Sequence, residues 1–388
     1  MQHDAPNFTQ ATTRAYDLLD LTNAKILSAM SQVSPRNLTH VAKSCELPVS
    51  TVHDRVRELE EAMRTAICRA QPCYSRLGLR RFLLVANPFM QGQDLSELLK
   101  ITNYWTSVSS CEGPFSSHSI HAVPDHKAAQ FRELVEEFRK LRAIRDYNLI
   151  EIGESYAFFP SLQYFDAKTH SWQFAWDRWS EELLHARPQQ SITDPTDYTL
   201  LADADDITII AELEVNGRKT FTDIAAQLTP RVTPQAVKMR YDRRILGQGL
   251  ISQYIVRVWL FPIQTTALRE VHLHFYSKNT CDAFFSYVGT LPFTHSVTKV
   301  LGQNSLIVRV MIPYEESDNF LEFLNGLSRQ GFVASFSSLR ILMPNRQTQT
   351  ISPEEFQDDV WQFNAVSYLH KAKVLLHPPA DWPRLTKP

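Results

Sequence analysis

Two short segments carry polar and basic side chains at helical spacing, a pattern typical of helices that contact nucleic acid. In the later segment Val237, Tyr241 and Ile245 recur at i, i+4 and i+8, which gives a helix one apolar face. The polar residues between them then point outward or lie on the flanks. A short basic helix held by two others is how a helix-turn-helix enters a DNA major groove. The candidate DNA-contacting residues of this segment are Gln235, Lys238, Met239, Arg240, Arg243 and Arg244.

The elements that must hold this helix precede it along the chain. An apolar helical pattern ends at Asn216-Gly217, a pair suited to the left-handed conformation that closes a helix. Thr220 can cap a second helix, and Thr233 followed by Pro234 has the cap and first position of a third. The stretch therefore predicts a three-helix unit.

The same pattern occurs once before, between Asp20 and Ile67, at an offset of about 183 to 185 residues. Val52 aligns with Val237, and Arg55 aligns with Arg240. An amphipathic hairpin buried in a core would not require the cap, the helix spacing and the arginine to reappear. The repeat therefore favours two helix-turn-helix units, and the candidate DNA-contacting residues of the first are Ser50, Thr51, His53, Arg55 and Arg57.

Both copies resemble the winged helix-turn-helix of the leucine-responsive regulator (Lrp/AsnC) family of transcription factors. The second copy carries the resemblance on Asn216-Gly217-Arg218, on Ile224-Ala225 and on the run from Thr233 to Val237 ahead of Arg240. The first carries it on the run from Ser50 to Val56. It departs from the family pattern because Asn23 replaces an aspartate and the glycine turn is missing.

After each copy the hydrophobic period changes, and the segments follow the order strand, helix, strand, strand, helix, strand of a ferredoxin-like domain. We therefore predict an α+β protein in which two winged helix-turn-helix domains alternate with two ferredoxin-like (βαββαβ) domains as an internal tandem repeat. This is the architecture that the Lrp/AsnC resemblance implies. The predicted boundaries are 1–75 and 201–262 for the winged domains, 76–165 and 263–343 for the ferredoxin-like domains, 166–200 for a Trp-rich extension and linker, and 344–388 for a C-terminal extension.

Composition is that of an ordinary soluble globular protein. The 388 residues are 44% hydrophobic and 21% charged, and a net charge of −2 gives no overall attraction to nucleic acid, so a local patch would have to supply it. The five cysteines are an odd number and fit reduced thiols. No apolar run is long enough to span a bilayer. We expect a cytoplasmic, nucleoid-associated protein with no membrane contact and a short lead helix from Thr13 to Leu19.

Other patterns that could carry chemistry are weak. His118, His121 and His126 lie on or after a strand, where residues at i and i+3 face opposite sides. Cys68 and Cys73 have no second pair for a metal. No phosphate-binding glycine loop, nucleophile elbow or H-E-x-x-H motif is present. We expect no catalytic residue, no metal, no cofactor and no enzymatic activity, and we expect the tryptophans of the extension to pack in an interface: Trp172, Trp176 and Trp179.

The expected function is therefore a sequence-specific DNA-binding transcriptional regulator whose partner is double-stranded DNA and which forms a homodimer through its ferredoxin-like domains. The second copy should contribute more affinity, because its recognition helix is the more basic and Arg231 lies in the turn before it. A small-molecule effector is conceivable, but free amino acids are doubtful. Ser116 and Ser305 stand where the family's hairpin pattern has an aspartate.

Two alternatives remain open at this stage. The siroheme decarboxylases resemble Lrp/AsnC proteins in fold and are built from two related subunits, so a fused pair would look like this chain. Its histidines and arginines would then serve a tetrapyrrole. The other alternative is a chromatin-like protein that coats DNA with little sequence preference.

Overall fold

The computed structural model describes residues 16–63, 66–166, 168–169, 171–228, 232–257, 261–262 and 264–376. Residues 13–15 of the predicted lead helix and Arg231 lie outside these residues. Twelve α-helices lie within them: α1 Leu21–Gln32, α2 Leu38–Ser44, α3 Val49–Met63, α4 Ser96–Leu99, α5 Ala128–Lys140, α6 Trp176–Leu184, α7 Ala204–Val215, α8 Phe221–Ala225, α9 Pro234–Arg240, α10 Lys278–Val288, α11 Ser317–Arg329 and α12 Ala365–Leu376.

Fifteen strands complete the fold within the same ranges. Two of them, β1 Cys68–Pro72 and β8 Ile251–Val256, pair with each other in a separate two-stranded sheet. The others are β2 Leu79–Pro88, β3 Trp105–Glu112, β4 Ser117–Pro124, β5 Ile144–Ala157, β6 Phe165–Asp166, β7 Ser171–Trp172, β9 Thr266–His274, β10 Thr294–Val300, β11 Ser305–Pro313, β12 Ser335–Ile341, β13 Gln347–Thr348, β14 Phe356–Gln357 and β15 Val360–Trp361.

The large sheet closes on itself. Its strand order is β12-β9-β11-β10-β5-β2-β4-β3-β13, and β12 also pairs with β3. The first eight strands therefore form a barrel with two seams between the halves of the chain, one at β5–β10 and one at β12–β3. Strand pairing that could join two molecules is satisfied here inside one chain, and the homodimer stays a prediction.

Side chains alternate between the barrel interior and its outer faces. Interior positions include Leu83, Ile152 and Ile307, which form one buried apolar cluster. The outer face of the first half packs on α5 and α12, and that of the second half packs on α6, α10 and α11. Trp179 is fully buried in the second of these layers, where its ring lies 5.6 Å from that of Phe293.

The helical units lie next to each other and share a two-stranded ribbon, β1 paired antiparallel with β8. Arg36 of the first unit donates to the carbonyl of Gly217 (3.0 Å), and Arg218 of the second donates to Glu60 (2.8 Å). We call the β1–β8 pair the wing ribbon. It brings together segments that the sequence analysis assigned to separate winged domains.

Local sequence signals explain where these helices begin. Asp20 accepts a hydrogen bond from the backbone N–H of Asn23, and Asp203 forms a capping box with Asp206 at the start of α7. Thr233 caps α9, with Pro234 at its first position. The third helix was predicted to run as one α-helix to Ile245, but its α-helical part ends at Arg240. A π-helical turn, Tyr241–Leu246, follows.

The coarse prediction of an α+β fold is confirmed. The elements follow the order β2-α4-β3-β4-α5-β5 in the first half and β9-α10-β10-β11-α11-β12 in the second. The finer division into the predicted domains stays an interpretation, because the two half-sheets merge into one barrel. In the described part of the chain, no helix is long and apolar enough to cross a membrane.

Candidate active site

The predicted DNA-contacting residues lie on α3 and on α9 with its π-helical extension. Thr51, Arg55, Arg240 and Arg244 are half-buried. The others are exposed: Ser50, His53, Arg57, Gln235, Lys238, Met239 and Arg243.

The three half-buried arginines among these candidates, Arg55, Arg240 and Arg244, are engaged in ion pairs within the chain. Arg240 donates to Asp203 at 2.7 Å and to Asp206 at 3.0 Å, and Arg244 donates to Asp206 at 2.8 Å. Arg55 lies 3.1 Å from Asp20. These pairs compete with any phosphate contact and hold α3 and α9 to the start of their own helical units.

The barrel interior contains a charged network that joins the two halves. Glu270 on β9 accepts from Arg309 Nε on β11 at 2.9 Å, and it lies 3.1 Å from Nε2 of His118 on β4. His272 approaches the other carboxylate oxygen at 2.9 Å. His121 faces away from this network and packs against the ring of Phe131. His118 and His121 thus lie on opposite faces of their strand, as predicted.

The protonation states in this network follow from burial and from the fixed charge of Arg309. Burial alone raises the pKa of the Glu270 carboxyl, but the neighbouring His118 and Arg309, which both favour its ionised form, hold that pKa well below its usual range. Burial lowers the pKa of His118, although Glu270 opposes the shift. Because Arg309 is permanently charged, we assign an ionised Glu270 and a neutral His118 that donates from Nε2.

A second group of basic side chains, which we call the cationic cluster, lies at the mouth of the barrel beside Arg309. Its members are Arg69 on β1, Arg257 just after β8, His295 on β10 and Arg346 between β12 and β13. All four are half-buried. In the described ranges the side chains of the arginines at 69, 257 and 346 form no ion pair or hydrogen bond.

Burial and mutual repulsion lower the pKa values of two members of this cationic cluster. Burial, together with the charges of Arg309, Arg69 and Arg257, lowers the pKa of Arg346 to about 9. Burial, Arg346 and its neighbours lower the pKa of His295 to about 3. A guanidinium nevertheless stays protonated near neutral pH. The repulsion is therefore best relieved by binding an anion.

An apolar pocket adjoins the cluster. His295 and Val256, the residue before Arg257, belong to its lining. The remaining lining residues are mostly aromatic or aliphatic: Phe158, Phe159, Pro160, Phe261, Pro292, Phe293, Thr294 and Met311. In this conformation the pocket is a cavity of only about 20 Å³. A flat apolar ligand with acidic groups at its edge matches the chemistry of these walls, provided that the pocket opens.

None of the residues in the cationic cluster was singled out from the sequence. Its four members come from four separate parts of the chain, and the barrel and the wing ribbon bring them together. One local signal existed: Arg309 interrupts the apolar strand SLIVRVMIP at an inward position. Among the described residues no group of three or more His, Cys, Asp or Glu side chains is arranged so that it could hold a metal ion.

Comparisons with known proteins give structural matches alone, since no family model and no curated protein matches this chain. The crystal structure of the siroheme decarboxylase NirDL is similar over 94% of this chain and 100% of its own, with a TM-score of 0.54 and 11% identity. The NirDL structure in complex with an iron-uroporphyrin III analogue aligns over 91% of this chain and 97% of its own, with a TM-score of 0.52 and 11% identity. The leucine response regulatory protein LrpA of Mycobacterium tuberculosis matches 34% of this chain and 92% of its own, at 21% identity and a TM-score of 0.27.

These matches show a shared fold and correct one expectation. The sequence analysis predicted that the chain is not an enzyme, and that prediction is contradicted. The fold that extends over nearly the whole chain is shared with the siroheme decarboxylase NirDL, which is an enzyme.

Proposed function

We propose that this chain is an enzyme of the siroheme-decarboxylase type, which binds an anionic tetrapyrrole and removes carboxyl groups from its acetate side chains. The cationic cluster carries the proposal. Arg69, Arg257 and Arg346 crowd together without acidic partners among the described residues, beside an aromatic pocket. Burial of so many unpaired charges is costly unless a ligand supplies the countercharge.

The ligand class follows from the two kinds of surface that meet there. A tetrapyrrole presents apolar faces, which suit Phe158, Phe261 and Phe293, and an edge of carboxylates, which suit guanidinium groups through paired hydrogen bonds. The narrow pocket must widen to admit a macrocycle. We expect the segment 159–160 to move, because it lies beyond the backbone hydrogen bond between Phe158 and His295 that ends the pairing of β5 with β10.

The reaction needs no oxidant. The bond between the carboxylate carbon and the methylene carbon breaks and carbon dioxide leaves. The electron pair remains on the methylene carbon, which takes up a proton and becomes a methyl group. The protein must hold the other carboxylates, strip water from the reacting one and deliver the proton.

His295 is the residue that we assign to the proton. In the unliganded cluster its pKa is lowered to about 3 by burial and by Arg346, Arg309 and Arg69. Ligand carboxylates would neutralise those arginines and raise the pKa of the imidazole, because a nearby negative charge favours its protonated form. The histidine would thus gain its proton when substrate is bound, beside the group that needs it.

The test is incubation of the full chain with siroheme under anaerobic conditions, followed by mass spectrometry of the tetrapyrrole. Successive losses of carbon dioxide are expected, and His295→Gln should slow them by about 10²-fold or more, as for removal of a general acid. Arg145→Gln is the matched control, since Arg145 is exposed and, among the described residues, pairs only with Asp146. Unchanged siroheme with the wild-type chain would refute the proposal.

DNA binding is a second candidate, favoured by the outward position of Gln235, Met239 and Arg243 on the third helix of the second unit. In this proposal the winged helix-turn-helix units bind double-stranded DNA through the predicted residues, and the chain regulates transcription. Selection of bound fragments from genomic DNA tests it. Enrichment of a common sequence supports it, and recovery of unselected fragments would leave only non-specific coating.

A further inference from the structure

The wing ribbon is built with two unlike faces. Across the β1–β8 pair, Gln71 lies opposite Gln253 and Arg69 lies opposite Ile255. Alternation places these residues on one face, whereas Ala70 and Tyr254 face the other side and join the core of the second helical unit.

The polar face is docked on the end of the barrel. The amides of Gln71 and Gln253 both donate to the backbone carbonyl of Ser155 near the end of β5, at 2.6 Å and 2.9 Å. Three residues further along, Phe158 donates its backbone N–H to the carbonyl of His295. The ribbon is thereby fixed beside the strand that carries the pocket histidine.

The register then places two arginines at the free end of the ribbon. Arg69 lies two residues before Gln71 on β1, and Arg257 follows the last residue of β8 and donates its backbone N–H to Ile67 at 2.7 Å. Burial and the charge of Arg69 lower the pKa of Arg257 to about 10. The ribbon therefore carries two adjacent positive charges beside the pocket, and neither side chain forms an ion pair within the described part of the chain.

We propose that Arg69 and Arg257 bind carboxylates of the ligand, so that the wing ribbon closes over the pocket as a clamp. This inference rests on the proposed tetrapyrrole function and adds to it a role for elements outside the barrel. Ligand binding replaces repulsion between the two guanidinium groups by attraction to shared anions. The ribbon should therefore be held more firmly against the barrel when the site is occupied.

The clamp also connects the site to the helical units. The backbone carbonyl of Cys68, next to Arg69, accepts from Gly217 in the turn between α7 and α8 at 2.9 Å. A carbon added at Gly217 would lie 2.9 Å from the ring of Tyr254, so this turn packs closely on the ribbon. Occupation of the pocket should be felt at that turn.

The experiment uses the full chain and metal-free uroporphyrin III, with binding followed by porphyrin fluorescence and ribbon dynamics by amide hydrogen exchange. Variants Arg69→Gln, Arg257→Gln and their combination are compared with Arg145→Gln. We expect the double variant to bind about tenfold more weakly or worse, as for loss of charge-assisted hydrogen bonds. The amides of 68–71 and 254–257 should gain protection on binding in the wild type and not in the double variant.

Thermal unfolding without ligand separates binding from a structural role. Since removing one of two repelling charges costs no partner, the melting temperature of the variants should equal or exceed that of the wild type. A lowered melting temperature would assign the arginines a structural role and overturn the inference. Equal binding by wild type and double variant, or a ribbon whose exchange ignores the ligand, would overturn it while leaving the proposed function intact. Failure of the wild type to bind uroporphyrin III or its iron complex would overturn both.

Discussion

Nε2 of His118 lies 3.1 Å from Oε2 of Glu270, and this contact spans the barrel from the first half of the chain to the second. Glu270 also accepts from Arg309, which borders the cationic cluster at the mouth. One buried carboxylate therefore fixes both the pairing of the halves and the position of an arginine beside the pocket.

Replacement of Glu270 by Gln should destabilise the fold strongly. The substitution keeps the shape but leaves the half-buried Arg309 without its acid, and breaking a buried ion pair from one side costs about 3 to 5 kcal/mol. Urea unfolding measures the loss. Glu112→Gln is the control, because its pair with Arg340 is exposed and should contribute less than about 1 kcal/mol. Similar losses for the two variants would show that the interior charge is not needed for stability.

A second prediction concerns pH and Glu214 on α7. This side chain is buried and accepts from the backbone N–H of Ile351 at 2.7 Å, which attaches the C-terminal segment to the second helical unit. Burial raises the pKa of its carboxyl to about 8, against partial lowering by Ile351 and Arg69. The group is therefore protonated in the folded chain at neutral pH and ionised in the unfolded chain.

The sign of the effect follows from that difference. A folded pKa above the unfolded one contributes stability that is complete below about pH 4.5 and is lost as pH rises toward about 8. Glu214→Gln cannot ionise, so its free energy of unfolding should gain on the wild type by a few kcal/mol between about pH 5 and pH 8. Parallel stability curves for wild type and variant over this range would contradict the assignment.

A third prediction concerns the seam between β3 and β12. Gly113 follows β3 with φ at 138°, and a carbon added there would lie 3.1 Å from the carbonyl oxygen of Ser338. Gly113→Ala should cost about 1 to 3 kcal/mol and speed amide exchange in β12, because the backbone is strained and the seam must separate. Gly92→Ala is the control, with φ at 81° and no atom within 4 Å. Equal exchange in β12 for both variants would mean that the seam tolerates the added carbon.

The sequence predicted local structure better than it predicted the site. Caps such as Thr233 and periodic apolar faces such as that of α5 are local signals, and the helices begin close to where those signals lie. The C-terminal segment repeats the extension of the first half, with the β14–β15 hairpin before α12 as β6–β7 lies before α6. In the sequence the two extensions are only weakly similar to each other.

The cationic cluster could not be predicted from the sequence, because its members lie far apart along the chain and come together only when the barrel closes. Arg69 in isolation reads as an exposed residue of a wing, and Arg346 reads as part of a polar tail. Pairing of β1 with β8 and of β12 with β3 brings both to the barrel mouth. The predicted recognition residues were chosen from helical periodicity, which shows which side faces outward but not which arginine has an acidic neighbour.

That distinction gives the last prediction, which separates a structural arginine from one available to DNA. Arg240 is half-buried and contacts both Asp203 and Asp206, and Asp206 is fully buried. Arg243 is exposed and has no ion pair among the described residues. Arg240→Ala should therefore destabilise the second helical unit by about 1.5 to 3 kcal/mol, since it removes one of the two arginines that donate to the buried carboxylate of Asp206. Arg243→Ala should change the free energy of unfolding by less than about 0.5 kcal/mol.

Denaturant unfolding and fluorescence anisotropy on a selected DNA fragment measure the two effects separately. If DNA binding operates, Arg243→Ala should weaken it and reduce its salt dependence by about one unit of log K per log salt, as for one phosphate contact. Lys238→Ala with Arg243→Ala should lose more affinity than His53→Ala with Arg57→Ala, because acids surround the first recognition helix. Arg57 itself lies 3.3 Å from Asp54. A stable Arg240→Ala variant that loses as much DNA affinity as Arg243→Ala would instead support the DNA contact that the sequence predicts for Arg240.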